Sequence, residues 1–415
     1  MTPRHVIVMV TTSYPRFPGD SVGTFVEPIA KGIAARGHTV HLVAPWHPLV
    51  RRPREEDGVS YHFYRYAPLP SLNVFGYAAA MRADVSLRGA AIAVAPLALA
   101  QGWRTARAIA RRQGATMMHG HWVVPGGVTA ALAAPRLPLV VSLHGSDVYV
   151  AETFPPARLA ARMALRRAGA VTACSRDLAD RAVALGADAS RVMVVPYGVD
   201  VERFRPDPLS KTGERARLGV PADVPLIFAA GRLVRKKGFE YLIDAMRHLT
   251  GEHRAILALG GEGDLEAELR ERAARLPASV SAVRFLGRLD QNAVGAYLAS
   301  ADVVVVPSVR DDAGNVDGLP NVVMETLATG TALVTTRAGG IGAVVKDGET
   351  ALVVPERDPV GLASAIDRLL SDDGLRARLG AAGRRLAAGQ FTWSHTAEAL
   401  ETAYDRALAF KWRRQ

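Results

Sequence analysis

The stretch AAGRLVRKKGFEYLIDA sets Arg232 and Lys237 on either side of a short loop, between an apolar strand and a helix expected to begin near Gly238. Two cations beside the free N–H groups of a helix start suit a pyrophosphate. Arginine offers a rigid fork and lysine a mobile point charge, a useful pair for a diphosphate whose charge grows as its bond to carbon breaks. Arg235 and Lys236, in the same turn, read equally well as solvated surface charges.

Three more segments have the same strand-end character. LGGEGDLEAELRERA puts Gly260, Gly261 and Gly263 in a strand-to-helix turn, where glycine permits positive φ and close backbone approach. Such turns also use glycine without any ligand, and GGEG is neither the GxGxxG of a dinucleotide fold nor the GK[ST] ending of a P-loop. In AVRFLGRLD, the backbone from Phe285 through Leu286 to Arg288 can read the edge of a base while the Phe285 ring fills core. In DGLPNVVMETLATG, Asp317, Gly318 and Leu319 precede a helix starting after Pro320, and Glu325 stands eight residues beyond Asp317. Glu325 can accept from both hydroxyls of a ribose and Asp317 from those of a hexose, although either acid alone reads as readily as a surface carboxylate.

In the first half, Gly23 and Thr24 join the opening loop to its helix, where a backbone N–H can reach the same diphosphate. His144 ends the strand LVVSL in the motif HGSD, with Asp147 three residues on. A histidine there can hydrogen-bond a sugar hydroxyl, or be structural. His119 and His121 in HGHW share one face of a strand, but no H-E-x-x-H or carboxylate triad accompanies them. With Trp122, Tyr14, Arg16 and Asp147 they are expected to belong to an acceptor pocket, His119 and His121 either in it or supporting it from behind, and no metal site is expected.

These loops need strands to end on. HVIVMV, a turn-rich loop, TFVEPIAKGIAARG and HTVHLVAP read strand, loop, helix, strand, with Phe25, Ile29 and Ile33 near one helical stripe. Short runs of Val, Leu and Ile between helical stretches predict parallel strands buried on both faces, with a crevice at their carboxyl ends. A polar, proline-bearing connection follows Asp200, and the same pattern restarts with PLIFAAGRL. The expected organisation is two Rossmann-like α/β domains, residues 1–200 and 222–385, joined by a linker over 201–221 and followed by a C-terminal helical segment over 386–415 that ends in KWRRQ.

At 415 residues and 49% hydrophobic content the chain can fill two cores. Its one cysteine, Cys174, excludes an intrachain disulfide, and the run Val6–Val10 is too short for a signal helix, so a cytoplasmic setting is expected. The richest apolar stretch, Ala90–Ala100, is short and holds Pro96, which suggests a helix pair or a membrane-resting surface and not a span. Residues 1–200 contain 22 Lys plus Arg against 12 Asp plus Glu, and residues 201–415 contain 29 against 28. The first half therefore carries nearly all of the +11 net charge, which attracts a polyanion, an anionic bilayer or a phosphorylated acceptor. Aromatic residues are not interleaved with the arginines at a regular step, so no nucleic-acid partner is expected.

SVGTF, HGSD, GRLVRKKG, GGEG, RFLG, DGLPNVVMETLATG and a terminal FTW together resemble the retaining nucleotide-sugar glycosyltransferases of family 4, over essentially the whole chain. The resemblance implies the GT-B fold, two Rossmann-like domains facing an interdomain cleft, with the C-terminal helix returning to the N-terminal domain. It implies a UDP-sugar or GDP-sugar donor, no cofactor, and transfer of a hexosyl group with retention to a hydroxyl of a lipid-linked or polysaccharide glycan, as in exopolysaccharide synthesis. Arg232 and Lys237 should clamp the phosphates, Glu325 bind ribose, and Asp317 orient the sugar with the backbone of Gly318, Leu319, Pro320 and Asn321. His144 looks like the family's active-site histidine and Gly23 like its diphosphate-facing turn. The family often has glutamate at the place of Asp317, and the loop before it is longer here than in the simplest pattern. Competing readings are a GT-B nucleotide-sugar epimerase and a sugar- or polyanion-binding protein without turnover.

Overall fold

The computed structural model describes residues 5–20, 22–77, 81–82, 86–87, 89–217, 219–250, 255–277 and 281–410. Ser21 of the SVGTF loop and the terminal residues 411–415 lie outside them. The chain divides into two compact units, residues 1–196 with 393–415, and residues 197–392.

In the first unit the strands are β1 (Val6–Val10), β2 (Thr39–Pro45), β3 (Glu55–Glu56), β4 (Val59–Tyr64), the small pair β5 (Met81–Arg82) and β6 (Ser86–Leu87), then β7 (Met117–His121), β8 (Leu139–Leu143), β9 (Ala170–Ala173) and β10 (Val192–Val194). Its helices are α1 (Val26–Ala35), α2 (Gly89–Arg112), α3 (Val128–Ala133), α4 (Ser146–Thr153), α5 (Pro155–Arg167), α6 (Arg176–Ala184) and, at the end of the chain, α14 (Trp393–Ala409). The main sheet has the order β10-β9-β8-β7-β1-β2-β4-β3, parallel except for β3 against β4. The continuous apolar runs of β1, β7 and β8 are explained by this: both faces are covered by helices. Ile7, Met9, Leu42 and Val140 pack with α1 and α14. The neighbouring Val141 faces the other way, onto Gly127 at the start of α3, in the layer where α2, α3 and α5 lie against the strands. The expected return of the C-terminal helix is thus seen: Ala397, Leu400, Ala403, Tyr404 and Ala407 are core residues of this unit.

Proline 96 does not divide the apolar stretch into two helices. α2 runs through it, with the ring on the exposed side, where one lost backbone hydrogen bond is left to solvent. Among the described residues no helix is long and apolar enough to cross a membrane.

The second unit repeats the plan with α7 (Pro208–Arg217), β11 (Leu226–Ala230), α8 (Phe239–Ala245), β12 (Ala255–Gly260), α9 (Glu266–Ala274), β13 (Ser281–Gly287), α10 (Gln291–Ser300), β14 (Val303–Val306), α11 (Asn321–Thr329), β15 (Ala332–Thr335), β16 (Leu352–Val353), α12 (Pro359–Ser371) and α13 (Asp373–Gln390). Its six-stranded sheet is wholly parallel, in the order β13-β12-β11-β14-β15-β16. In both units the strand order reverses beside the first strand, between β1 and β7 and between β11 and β14. Connections leave such a pair in opposite directions, so a crevice opens at its carboxyl end.

α11 begins after Pro320, as expected, and is stopped by Gly330 in the left-handed region at φ +70°. α13 crosses that end closely: a Cβ on Gly380 would stand 2.0 Å from the Gly330 carbonyl oxygen. Gly380→Ala is therefore expected to force α13 off α11 and cost about 2 kcal/mol or more. Urea unfolding checks this, and a wild-type midpoint would contradict the packing.

Candidate active site

The strand ends of the second unit are stitched in order. Gly231 N–H donates to the Gly260 carbonyl at 3.0 Å, Gly261 N–H to the Gly287 carbonyl at 2.7 Å, and Leu233 N–H to the Glu262 carbonyl at 3.0 Å. A Cβ on Gly261, at φ +136°, would meet the Gly231 oxygen at 1.8 Å, and one on Gly263 the Leu233 oxygen at 2.4 Å. The glycines of GGEG are thus required for one loop to lie on the next. Phe285 and Leu286 sit inside β13, half-buried. The Phe285 ring packs on the core and receives the Arg270 guanidinium at 4.5 Å.

After β11 the chain turns through Arg235–Lys237 and reaches α8 by way of Gly238 at φ +66°. A Cβ there would stand 2.0 Å from the Pro307 oxygen. The Val309 N–H donates to the Lys236 carbonyl at 2.9 Å, so the loops after β11 and β14 are backbone neighbours at the point where the strand order reverses. The long loop before Asp317 is ordered by its own turn: Asp311 accepts from the amides of Ala313 and Asn315 and receives a backbone bond from Gly314. On its far side the Asp317 carbonyl is close to Gly339, where any Cβ would collide with it at 1.9 Å.

These contacts bring Asp317 between two lysines. Lys237 Nζ lies 2.6 Å from Oδ2 and Lys236 Nζ 3.2 Å from Oδ1. Burial works to raise the Asp317 pKa, but the charges of Lys237 and Lys236 outweigh it and hold the carboxyl well below the usual range. Burial lowers the Lys237 pKa, and the attraction of Asp317 opposes that. Arg232, exposed at the strand end, is drawn electrostatically to Asp317 and Asp264. Lys236 is the residue that sequence reasoning missed: it is buried, whereas Arg235 is the solvated charge, paired with Glu268 at 2.6 and 2.8 Å. Two adjacent lysines in a tight turn give no sign of which one points inward.

Gly318, Leu319 and Pro320 are buried behind Asp317, and Asn321 opens α11 half-buried. One turn on, Glu325 makes no ion pair or side-chain hydrogen bond among the described residues. Burial raises its pKa from 4.5 to about 7, against the opposing charges of Arg203 and Lys237. Its carboxyl oxygens are uncommitted acceptors beside the lysine cluster.

The first unit gathers only part of its expected set. His144, Trp122 and Phe25 are partly exposed and in mutual contact, with ring centroids 4.5 Å apart for Phe25 and His144 and 4.9 Å for Trp122 and His144. Gly23, at φ +62°, accepts from the Val26 N–H and presents the turn just ahead of Phe25. Trp122 itself takes a positive φ of +61°. Behind this group the remaining candidates are interior. His119 is fully buried, with its ring nitrogens on Tyr404 Oη at 2.9 Å and Ser142 Oγ at 2.8 Å. Tyr14 is fully buried with its hydroxyl 3.0 Å from that of Tyr61. Arg16 is buried on Asp20 at 2.7 and 3.0 Å. Asp147 accepts from the amides of Val123, His144 and Gly145 and so ties the loops after β7 and β8 together. Of the residues expected in or behind an acceptor pocket, Tyr14, Arg16, His119 and Asp147 are therefore each committed to an internal partner. His121 Nδ1 lies 3.1 Å from His144 Nε2. Burial lowers the pKa of His121 to about 3 and that of His144 well below its ordinary value, so both rings are neutral at pH 7. Among the described residues, no group of three or more His, Cys, Asp or Glu side chains is placed to hold a metal ion.

Two mainly parallel sheets, each with a strand-order switch point and the second with paired cations at it, define a two-Rossmann architecture, and comparison with solved structures agrees on the fold. Anabaena HepE in complex with UDP-glucose superposes with a TM-score of 0.73 at 21% identity, over 97% of this chain and 100% of that one. Residues 22–203 match the family described as Glycosyltransferase Family 4, and residues 210–386 that described as Glycosyl transferases group 1. A D-inositol 3-phosphate glycosyltransferase of Nocardioides is 32% identical over 319 residues, 71% of this chain and 68% of that protein. A protein of the same name from Xylanimonas cellulosilytica is 37% identical over 245 residues, and the alignment spans 57% of its length. The chain belongs to the family 4 glycosyltransferases of GT-B fold.

The native state keeps the Glu325 proton up to about pH 7, whereas an unfolded chain releases it near 4.5. Stability from this group is fully present below pH 4.5 and is lost as pH rises through 7. Glu325→Gln is expected to be more stable than the wild type above pH 7 and to flatten the pH profile between about 4.5 and 7. Thermal melts from acid to mildly alkaline pH measure it, and parallel profiles would contradict the half-buried, unpaired carboxyl.

Proposed function

We propose that this chain moves a hexosyl group from a UDP- or GDP-linked sugar to a hydroxyl of a lipid-linked or polysaccharide glycan, with retention of the anomeric configuration, on the cytoplasmic side of the membrane. The observation that carries this reading is the Lys236–Asp317–Lys237 cluster with Arg232 at its edge. Three cationic groups face Asp317 and Asp264 while burial raises the Glu325 pKa to about 7 and so reduces its negative charge near neutrality, which leaves an excess positive charge for a diphosphate to meet.

In this reading Arg232 and Lys237 hold the donor phosphates, with Gly261 and Gly263 allowing the strand-end backbone to approach. Phe285 and Leu286 flank the base, Glu325 accepts from the ribose hydroxyls, and Asp317 with the Gly318–Asn321 backbone orients the sugar. The bond from anomeric carbon to diphosphate oxygen breaks, its electron pair leaving with the diphosphate. The acceptor oxygen bonds to the same face of that carbon, and its proton passes to a departing phosphate oxygen. Lys237 and Arg232 stabilise the charge that grows on the leaving group, a role concentrated in the transition state. In the first unit, neutral His144 with Trp122, His121 behind it and the Gly23 turn forms the surface offered to sugar and acceptor. The UDP-glucose named for Anabaena HepE and the glycosyltransferase names of the relatives support a nucleotide-sugar donor. An epimerase would need carboxylates poised for proton removal from the sugar. Asp317, paired with two lysines and with its pKa held well below the usual range, is a weak base, which suits transfer better.

A panel of UDP- and GDP-sugars with soluble and lipid-linked acceptors, scored for product and read for anomeric configuration by nuclear magnetic resonance, tests the reaction. A retained product is expected, and an inverted product would overturn the mechanism. In the same assay, run below the lowered melting temperature expected from breaking the buried ion pair, Lys237→Ala should lower the turnover of folded protein about a hundredfold or more. Near-wild-type turnover across the donors would sink the phosphate-clamp role.

A further inference from the structure

The positive charge of the first half is concentrated on one layer. From residue 89 to residue 146 the sequence has no aspartate or glutamate, and α2, α3 and α5, which pack side by side over one face of the first sheet, contain eight arginines and no acid. Among the described residues no carboxylate pairs with Arg104, Arg111, Arg112, Arg158, Arg162 or Arg166. On α5 the arginines stand at Arg158, Arg162 and Arg166, so like charges repeat at i and i+4 along one exposed stripe, an arrangement that destabilises a helix in water. The second unit does the opposite: exposed arginines of α9 and its end are neutralised one turn away, Arg270 by Glu266 and Arg275 by Glu271.

Large apolar side chains project from the same layer. Leu159 is 73% exposed, and Leu97, Trp103, Leu132 and Met163 are also exposed. Trp103 on α2 donates its indole N–H to the Leu132 carbonyl on α3 at 3.2 Å, so these side chains are neighbours across helices. On α5, Leu159 and Met163 run one residue beyond the arginine stripe. We propose that the outer face of α2, α3 and α5 docks on an anionic lipid bilayer, its apolar side chains entering the headgroup boundary and its arginines meeting lipid phosphates. A bilayer accepts this combination because arginine stems lie along apolar surface while their heads stay in the polar layer. Nucleic acid fits the charge but offers nothing to protruding leucine and methionine. The face deepens the reading of a lipid-linked acceptor, yet stands on charge and exposure alone and on no residue of the donor site.

The full chain should co-sediment with vesicles of mixed phosphatidylglycerol and phosphatidylcholine, weakly or not at all with phosphatidylcholine alone, and less as salt is added. Two variants probe the two halves of the surface: Arg158→Gln with Arg162→Gln and Arg166→Gln, and Leu159→Ser with Met163→Ser. Each should weaken vesicle binding about tenfold or more while melting temperature and transfer to a soluble acceptor stay at wild-type values. Docking is overturned by wild-type binding in both variants, by no binding to the anionic vesicles, or by tighter binding of a DNA duplex than of vesicles. A chain that docks as expected but transfers no sugar refutes the donor-site reading and leaves the docking face standing.

Discussion

One buried carboxylate shared by two lysines organises the second unit's site. Asp317 is held from both oxygens by Lys236 and Lys237, and each of these groups would be costly to bury alone. Removing one member of such a set leaves an uncompensated charge, which typically costs about 3–5 kcal/mol. The backbone has been built around the pair: Gly238 allows the lysine turn to lie on Pro307, and Gly339 allows the next loop to lie on Asp317. The cluster therefore fixes the relative position of three strand-end loops before any ligand arrives, which is the preorganisation that binding a growing negative charge requires.

The same arrangement gives Asp317 the reach that a glutamate would have from its longer side chain. A side chain shorter by one methylene is brought to both ammonium groups by loops that approach at backbone distance, so reach is supplied by the fold. Glu325 is its complement: one carboxyl is held ionised by two lysines, the other has its pKa raised to about 7 by burial and is unpaired among the described residues. Two acids eight residues apart on one loop and helix thus have pKa values shifted in opposite directions, and only the second has acceptors to spare.

Much of this was legible in the sequence because strand-end loops announce themselves. Continuous valine and leucine runs gave the buried parallel strands, and the apolar spacing through Ala397, Leu400 and Tyr404 gave the last helix, which docks with those residues inward. Pairing was not legible. Lys236 and Arg235 are interchangeable on paper, and the turn decides which one is buried. Tyr14, Arg16, His119 and Asp147 have the chemistry of pocket residues, but each finds an internal partner far along the chain or across a loop, such as Tyr404 for His119. The missing acids between residues 89 and 146 were in plain view, but only helix packing shows that the arginines there share one layer.

The central claim is that the lysine cluster recognises diphosphate charge. Calorimetric titration of uridine, UMP and UDP, and of the guanosine series, into the wild type and Lys237→Ala measures it most directly. The wild type should bind one of the two diphosphates at least about a hundredfold more tightly than its nucleoside, and Lys237→Ala should remove most of that increment while leaving nucleoside affinity in place. An increment that survives the substitution unchanged, or nucleoside and diphosphate bound equally by the wild type, would contradict it.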